Sequence, residues 1–477
     1  MIEKKKISLI YFCVAVFVAI GLFFVVAADS YLFFALPIVV GVLMLYVFSL
    51  DKVLFLIAFL TPLSIELNLK DSGIGVSFPC DVLLLGLLFV FIAKLLYERK
   101  FDLRIARHPI SIAIYALLGW MVVTMFTSEY PVVSLKHVLS QLWFIVPSFF
   151  MCAILFKDVN NIKKFLWLYI ASLVLVVCYT IANHAVNAFD HDAAHWVMTP
   201  FYNDHTAYGA ALAMFLVISA AFLFIPMRRR WKMIVFGVFV LLAVALVLSS
   251  CRAAWISVVA ALMVLACVFL KIKFKWLLSV GIILIALFFA FQSQILGALE
   301  KNDQDASGDF AENIQSMTNI STDASNLERL NRWNCAFRMF NERPIMGWGF
   351  GTYQFVYGAF QKQDEKTIIS TSTGDMGNAH SEYIGPLAEM GLPGMLLMLI
   401  LVSVGIGKGL LVYKKKQKRE TKILVLGVTL ALITYFVHGV MNDFLDTDKL
   451  AVPVWSCFAI ITAIDVFHSE DDVLSNE

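Results

Sequence analysis

Three basic side chains in the sequence stand out by their type and their surroundings. Arg252 lies between two long apolar runs, in the segment LVLSSCRAAWISVV at residues 247–260. Arginine is among the costliest residues to place near lipid, so its presence there needs a chemical reason. Arg329 lies in SNLERLNRWNCAFRMFNERP and His380 in GNAHSEYIGP. Paired arginines suit a phosphate or diphosphate, because each guanidinium offers a fixed fork of donors. A neutral histidine beside them is a candidate general base.

Further polar residues near the ends of apolar blocks complete the set of candidate site residues. They occur on the segment of Arg329, in FYNDHTAYG, in the stretch after His380 and in HGVMNDF. These secondary candidates are Arg332, Asn203, His205, Glu382, Glu389, His438 and Asp443. The acidic triplets DHD at 190–192 and DTD at 446–448 are of a kind common in loops, so we expect neither a metal nor a cofactor.

The segment with Arg329 and Arg332 is predicted to be a helix. Ser325 and Glu328 have the S-x-x-E spacing of a capping box, and Pro344 ends the helix. Apolar residues recur at helical spacing, at Leu327, Leu330, Trp333, Phe337 and Phe340. At about 100° per residue, Arg329 falls on the border of this stripe and Arg332 much farther round. We therefore expect Arg329 to be half-buried and aimed at the site, and Arg332 to be solvated.

Two glycine-containing motifs follow this helix. The segment PIMGWGFGTYQF has the pattern G-x-G-x-G at residues 347–351, but no strand precedes it, so it is not a dinucleotide-binding motif. Its backbone N–H groups either approach a sugar or phosphate or simply form a tight turn. GLPG at 391–394 breaks a helix, so residues 380–390 are predicted to form a short helix at the membrane surface.

The elements that must position these residues are membrane-spanning helices. The chain has 477 residues, of which 60% are hydrophobic and only 15% charged; soluble domains have about a quarter charged. The apolar residues form blocks long enough to cross a bilayer. The sequence predicts an all-α polytopic membrane protein with 12–14 transmembrane helices and one large, partly helical outer loop. The candidate spans are 7–28, 31–49, 53–67, 82–97, 109–126, 138–156, 164–183, 205–225, 233–249, 253–270, 276–298, 393–413, 422–440 and 450–467.

The distribution of basic residues predicts the orientation of these spans. Basic segments at 4–6, 98–107, 157–164, 228–232, 271–275 and 414–422 alternate with poorly basic loops. By the positive-inside rule, the basic segments and both termini are cytoplasmic, so Arg252 and the loop 299–384 face outward. This loop is no basic patch, which argues against a nucleic-acid partner. We divide the chain into N-terminal helices (1–204), helices around Arg252 (205–298), the large outer loop (299–384) and C-terminal helices with a cytoplasmic tail (385–477).

Three motifs occur in a specific order: SSCRAAW, ERLNRWNCAFRMFNERPIMGWGFGTYQF and AHSEYIGPLAEMGLPG. Together they resemble the O-antigen ligase and polymerase superfamily over about residues 200–445. The resemblance implies a metal-independent, inverting transfer of a glycan from undecaprenyl diphosphate at the periplasmic face of the bacterial inner membrane. It also implies that Arg252 and Arg329 hold the diphosphate and that His380 activates the acceptor. Cys251 departs mildly from the small residue that often precedes this arginine in the family.

The acceptor is left open by these motifs. A single dominant outer loop favours a ligase that acts on lipid A–core, whereas a polymerase would extend a growing glycan on the same lipid carrier. A protein-glycosylating member would use a serine or threonine. A polysaccharide or solute transporter is the alternative from another class, and it would predict charged residues at mid-span. Here the charges of interest lie at one face, which favours a surface reaction.

Overall fold

The computed structural model describes residues 36–69, 74–271, 324–365, 377–415 and 418–468, together with residue 279. These residues are mostly helical, with one two-stranded sheet. The helices that we number are α1 (Leu36–Phe48), α2 (Leu50–Leu60), α3 (Cys80–Glu98), α4 (Leu103–Ala106), α5 (Pro109–Phe126), α6 (Pro131–Ile145), α7 (Cys152–Leu155), α8 (Val159–Val186), α9 (His205–Leu223), α10 (Arg229–Leu248), α11 (Arg252–Phe269), α12 (Ala324–Glu342), α13 (Tyr353–Val356), α14 (Ile384–Lys414), α15 (Arg419–His438) and α16 (Asp448–Phe467).

Among the described residues, 10 helices are long and apolar enough to cross a membrane. They are α3, α5, the continuous stretch Pro131–Leu155 formed by α6, a π-helical segment and α7, and then α8, α9, α10, α11, α14, α15 and α16. The prediction of an all-α polytopic membrane protein is confirmed. The predicted spans 7–28 and 276–298 lie outside the described residues. The chain divides into two compact units, Met1–Leu56 and Ile57–Glu477, and the candidate site lies entirely in the second.

The predicted span 53–67 is wrong. Helix α2 ends at Leu60, and Ile65–Leu69 is a β-strand (β1) that pairs antiparallel with Ile74–Phe78 (β2). In the strands, apolar and small or polar residues alternate as IELNL and IGVSF, which is the pattern of a β-hairpin. The block is mostly apolar, so the change of its side-chain pattern from a helical period to a period of two residues was not recognised.

Helices α16, α15 and α9 form the core of the second unit. Most of their residues are buried, and α9 packs against α15, α10 and α11. Helices α10 and α11 are instead largely exposed, with apolar side chains such as Phe236, Val244, Val259 and Leu262 on their outer surface. Exposed apolar surface of this kind on membrane-length helices suits contact with lipid chains.

The loops of the second unit collect at two opposite ends of the bundle. At one end, Asp465 of α16 binds Lys415, Lys408 and His108, and Lys163 binds Glu420, so the predicted cytoplasmic segments meet there. The other end gathers the β-hairpin and the loops at 127–130, 187–204, 249–251, 343–365, 377–383 and 439–447. All of these are loops predicted to face outward, and the candidate site lies among them.

Candidate functional site

Arg252 begins helix α11 directly after the tight turn that joins it to α10. Ser249, Ser250 and Cys251 form this turn, and Ser250 has a left-handed backbone (φ 51°). The Cys251 Sγ lies 3.6 Å from His438 Nε2 at the end of α15, and the Ser250 hydroxyl lies 3.5 Å from His191 Nδ1. The turn thus fixes Arg252 at the end of the bundle, half-buried, beside the ends of two other helices.

Helix α12 carries both Arg329 and Arg332, and its observed bounds fit the prediction closely. It begins at Ala324, one residue before the predicted capping serine, and it ends at Glu342, ahead of Pro344. The Glu328 carboxylate accepts a hydrogen bond from the Arg332 side chain (3.0 Å).

The prediction that Arg332 is solvated is wrong. The most enclosed face of α12 is formed by Glu328, Asn331, Cys335, Ala336 and Met339, whereas the aromatic stripe of Trp333, Phe337 and Phe340 is only partly buried. Arg332 lies four residues from both Glu328 and Ala336, on the enclosed face, and its side chain is 13% exposed. In a membrane protein the most apolar face of a helix need not pack on protein, because lipid also accepts apolar surface.

Arg332 connects α12 to the segment that carries His380. Its Nη1 donates to the Asn378 carbonyl (3.3 Å) and to His380 Nε2 (3.0 Å), while its Nε donates to Glu328. The guanidinium also lies over the Tyr357 ring, 5.9 Å from the ring centre. Arg332 is therefore a central member of the site.

His380 has a strained backbone (φ 47°), an unusual conformation for a residue other than glycine. Its N–H donates to the Asn378 side-chain oxygen (3.2 Å), which stabilises this turn. Because an arginine N–H donates to Nε2, the ring proton of a neutral His380 lies on Nδ1. Burial, followed by the charges of Arg332 and Arg329, lowers the pKa of His380 to about 3, and Asp204 opposes them. The imidazole is therefore neutral at physiological pH.

Arg329 is half-buried, as expected, and lies between the Arg252 turn and His380. Its charge acts on the pKa of both Cys251 and His380. It also interacts electrostatically with His205, as does Arg252. Burial raises the pKa of the Cys251 thiol to about 12, so this cysteine is no thiolate nucleophile. The three predicted residues, Arg252, Arg329 and His380, thus belong to one cluster at one end of the bundle.

His205 and His438 border this cluster. His205 is the first residue of α9, which Asp204 caps by accepting hydrogen bonds from the Thr206 and Ala207 N–H groups (2.7 and 2.9 Å). The His205 ring packs against His195, with their centres 4.2 Å apart. His438 ends α15 and contacts Cys251.

Two of the candidate carboxylates have an evident structural role. Glu382 is buried and accepts hydrogen bonds from the Tyr435 hydroxyl and from the Phe444 and Leu445 N–H groups, so it ties the segment after His380 to α15 and the loop beyond it. Burial raises the pKa of Glu382 to about 7. Glu389, on α14, accepts from the Tyr353 N–H (2.9 Å).

The glycine motif is a tight turn that packs on α14. The N–H groups of Trp348 and Gly349 donate to the carbonyls of Ala388 and Glu389 (3.2 and 2.8 Å), so they are not available to a phosphate or sugar. Gly347 has a positive φ (65°), and a Cβ there would lie 2.3 Å from the Glu389 carbonyl. Of the two interpretations of this motif, the tight turn is confirmed.

The first part of α14 is the short helix predicted ahead of the span, and it begins at Ile384 rather than at residue 380. Helix α14 runs from Ile384 to Lys414, but Gly391 has non-helical angles (φ 66°, ψ −171°) and divides it at the predicted break. The short first part carries Glu389, and His380 lies in the turn before it. The break therefore sets the direction in which the His380 segment leaves the membrane-spanning part.

Asn203 and Asp443 lie apart from the arginines, around a neighbouring cavity. The Asn203 amide donates to the Glu66 carboxylate of β1, and both residues line this cavity with Asp443 and Asn378. Sequence reasoning missed Glu66, Glu328 and Asn378. The alternation of β1 could have revealed the hairpin that holds Glu66. The i, i+4 spacing of Glu328 and Arg332 on one helix could have revealed their pairing. No local pattern identifies Asn378, whose carbonyl accepts from Arg332 across 46 residues of sequence.

The fold and the site define a multi-pass helical membrane protein with an arginine-rich cluster around a neutral histidine at one end of its bundle. Residues 237–399 match the family model described as O-antigen ligase. This match supports membership of the O-antigen ligase superfamily. The matched region contains Arg252, Arg329, Arg332 and His380. No curated protein matches the chain.

Proposed function

We propose that the protein is a membrane glycosyltransferase that moves a glycan from undecaprenyl diphosphate to an acceptor hydroxyl, and that it acts as an O-antigen ligase on lipid A–core. In this proposal the reaction is metal-independent and inverts the anomeric centre. The site faces the periplasm, across the bacterial inner membrane from both termini. The single observation that carries the proposal is the grouping of Arg252, Arg329, Arg332 and the neutral His380 at one end of a membrane-spanning bundle, within the family domain.

The arginines suit the leaving group of this reaction. As the bond between the sugar and the diphosphate breaks, the electron pair and negative charge move to the diphosphate. Guanidinium groups that are already positioned stabilise this charge at little reorganisation cost. Arg252 lies at the start of a helix and can reach the diphosphate headgroup of the donor at the membrane surface. The lipid tail of the donor would then stay among the exposed apolar side chains of α10 and α11.

His380 suits the acceptor side, provided that Arg332 moves. A ring nitrogen can take the proton of an acceptor hydroxyl only when its lone pair is available, and Arg332 donates to Nε2 in this structure. A bound diphosphate is a stronger partner for Arg332 than a neutral imidazole. Its negative charge also offsets the two arginine charges that hold the pKa of His380 low. Donor binding would therefore release His380 and make it a better base, so we expect the donor to bind before the acceptor reacts.

The second candidate is a polymerase with the same site, in which the acceptor is another glycan on the lipid carrier. The cluster suits both reactions, because the diphosphate and the base are common to them. Protein glycosylation would need only a different acceptor hydroxyl. A transporter is less well supported, since the charged clusters described above lie at the ends of the helices.

A reconstituted transfer reaction tests this proposal. We would supply the purified protein with an undecaprenyl-diphosphate-linked glycan and lipid A–core, with and without EDTA, beside Arg252→Ala and His380→Ala variants. Products would be identified by gel and mass spectrometry. Glycan on lipid A–core that survives EDTA and disappears in both variants supports the ligase. Longer chains on the carrier mean a polymerase, and an EDTA-sensitive reaction restored by magnesium contradicts the metal-free mechanism. Glycan movement across sealed vesicles that persists in both variants means a transporter.

A further inference from the structure

A polar cavity of about 180 Å³ lies beside the arginine–histidine cluster, at the same end of the bundle. Four segments far apart in sequence enclose it: the β-hairpin, the loop before α9, the segment before His380 and the loop that leads into α16. Its lining includes the side chains of Glu66, Phe201, Asn378, Asp443, Phe444 and Asp448. The cavity does not contain Arg252, Arg329 or Arg332 among its lining residues.

The lining is rich in hydrogen-bond acceptors. Glu66, Asp443, Asp446 and Asp448 all contribute carboxyl groups. Lys449 also lines the cavity, but its ammonium group donates to the backbone carbonyls of Thr61, Pro62 and Ser64 (2.8, 3.2 and 2.6 Å). Its hydrogen bonds are therefore directed at the protein. A phosphate or a carboxylate would be repelled here, in contrast to the arginine cluster.

Two buried carboxyl oxygens at the cavity have no hydrogen-bond partner among the described residues. Asp448 is fully buried; its Oδ2 accepts from the Ser64 hydroxyl, and its Oδ1 has no partner. The Oδ1 of Asp443 is likewise buried without a partner. Leaving such an acceptor unsatisfied is costly, so a ligand that brings hydrogen-bond donors would be favoured. The required ligand is therefore a donor-rich, uncharged or cationic group.

The size and the aromatic residues narrow the class of ligand. Pockets for drug-sized ligands have volumes of at least roughly 300 Å³. This cavity is smaller, and its volume suits about one sugar ring. Phe201 and Phe444 line it together with the carboxyl groups, so it offers both apolar ring faces and acceptors. A sugar has the matching surface, with C–H groups on its faces and hydroxyl donors round its edge.

Asn378 joins this cavity to the base. It lines the cavity, its side-chain oxygen accepts from the His380 N–H, and its carbonyl accepts from Arg332. A ring held in the cavity therefore lies next to the turn that presents His380.

We infer that this cavity binds the acceptor sugar, as a ring without negative charge whose hydroxyl or amino groups donate to Asp443 and Asp448. The inference deepens the proposed function and rests on it. It divides the site by charge: the arginine cluster takes the diphosphate of the donor, and the carboxyl-lined cavity takes the acceptor.

Saturation-transfer NMR on the purified full-length protein tests binding without any transfer reaction. The probes are D-glucose, D-glucosamine and D-glucuronate. We expect signals from glucose and glucosamine and a weaker signal from glucuronate, because its carboxylate is repelled. Asp443→Asn and Asp448→Asn should each weaken binding about 10-fold, since each replaces one acceptor oxygen with an amide N–H group and so removes a hydrogen bond. The amide oxygen introduced by Asp448→Asn can still accept from Ser64, and Asp443→Asn serves as the second variant if Asp448→Asn does not fold.

Two controls separate this inference from the proposed function. Glu129→Gln removes an exposed carboxylate at the same end but outside the cavity, and it should leave sugar binding unchanged. Arg252→Ala should also retain sugar binding while it abolishes transfer. Equal binding by the Asp443→Asn variant and the wild type, preference for glucuronate, or no signal from any of the three sugars would each overturn the inference. If transfer is absent but sugar binding follows the expected pattern, the proposed reaction fails and the cavity assignment stands.

In the transfer reaction, the same variants should act on one substrate only. Asp443→Asn should raise the KM for the acceptor about 10-fold and leave the KM for the lipid-linked donor unchanged. A merely structural defect would change both constants or the amount of folded protein. An increase in the donor KM alone would contradict the division of the site by charge.

Discussion

At the scale of single residues, Arg332 and Arg252 occupy different places in the candidate site. Arg332 is held by Glu328, Asn378 and His380, so its position is set by the protein itself. Arg252 begins a helix at the end of the bundle, where a guanidinium fork can meet a ligand from the membrane surface. The type of cation, and not only its charge, therefore matters at Arg252.

Arg252→Lys should lose most transfer activity. Lysine keeps the positive charge but has no planar fork, so it cannot donate two parallel hydrogen bonds to a diphosphate. We expect kcat/KM to fall roughly 100- to 1,000-fold, the usual cost of one lost transition-state donor. Steady-state transfer assays would measure this, with Arg230→Lys at an exposed site of α10 as the control. Full activity in Arg252→Lys would contradict a bidentate contact.

The pH dependence of transfer should reveal the charge of Arg332. In the protein, the pKa of His380 is lowered from 6.5 to about 3 by burial, then by Arg332 and Arg329. The imidazole therefore stays neutral well below pH 6.5, and kcat/KM should not fall at the usual histidine pKa. Arg332→Gln removes one of the charges that lower the pKa of His380, so this pKa should rise and the acid limb of kcat/KM should move to higher pH. The rate of transfer should also fall. Arg343→Gln is the matched control, because Arg343 pairs with exposed Glu129. An acid limb that is identical in Arg332→Gln and the wild type would rule out Arg332 as a cause.

At the scale of elements, the site depends on how α12, the glycine turn and α14 pack together. Cys335, Ala336 and Met339 of α12 share a buried cluster with Tyr353, Tyr357, Ala379 and Ala388. The Tyr353 hydroxyl donates to the Arg332 carbonyl (2.7 Å), and its N–H donates to Glu389. The glycine turn thus links the helix of the arginines to the helix that follows His380.

Gly347→Ala should destabilise this packing. An alanine there would have to adopt a positive φ and would place its Cβ against the Glu389 backbone, which cannot move as a side-chain end can. We expect a loss of about 1–3 kcal/mol, the usual cost of a strained backbone conformation. Thermal unfolding in detergent would measure it. Gly237→Ala in α10 is the control, since nothing lies within 4 Å of its Cβ position. Equal melting temperatures for the two variants would mean that the turn tolerates the strain.

At the scale of the whole molecule, the second unit brings the basic segments that are predicted to be cytoplasmic together at one end of the bundle. Arg104, Lys157, Lys163, Lys408 and Lys415 surround one end, where they pair with acidic side chains or lie over Phe467. The site occupies the other end. This separation agrees with the positive-inside pattern of the sequence and predicts which end faces the cytoplasm.

Thiol labelling tests this orientation directly. Glu129→Cys lies at the site end and Lys232→Cys near the start of α10 at the other end, and both side chains are exposed. A membrane-impermeant maleimide should label Glu129→Cys from the periplasmic side and Lys232→Cys only in inverted vesicles. The unsubstituted chain gives the background from its own cysteines. The reverse labelling pattern would place the site in the cytoplasm and contradict a periplasmic reaction.

The sequence by itself determined the helical membrane architecture and most of the described spans, and it identified the principal candidate site residues. In lipid, an apolar segment can satisfy its backbone hydrogen bonds within itself by forming a helix. The spans can therefore be predicted from the local sequence alone. Arg252 and His380 were identifiable because a charge or a lone imidazole at the end of such a block is rare. The Gly391 break and the end of α12 before Pro344 followed from local backbone rules.

Only the tertiary structure decided which face of α12 is enclosed, and hence that Arg332 contacts His380. An apolar stripe does not identify the protein-facing side of a helix when lipid is also present. The β-hairpin was hidden within an apolar block, and the cavity that it closes joins Glu66, Asn378, Asp443 and Asp448 from distant segments. Such contacts depend on how the helices and loops pack, and that packing has no signature in the spacing of residues along the chain.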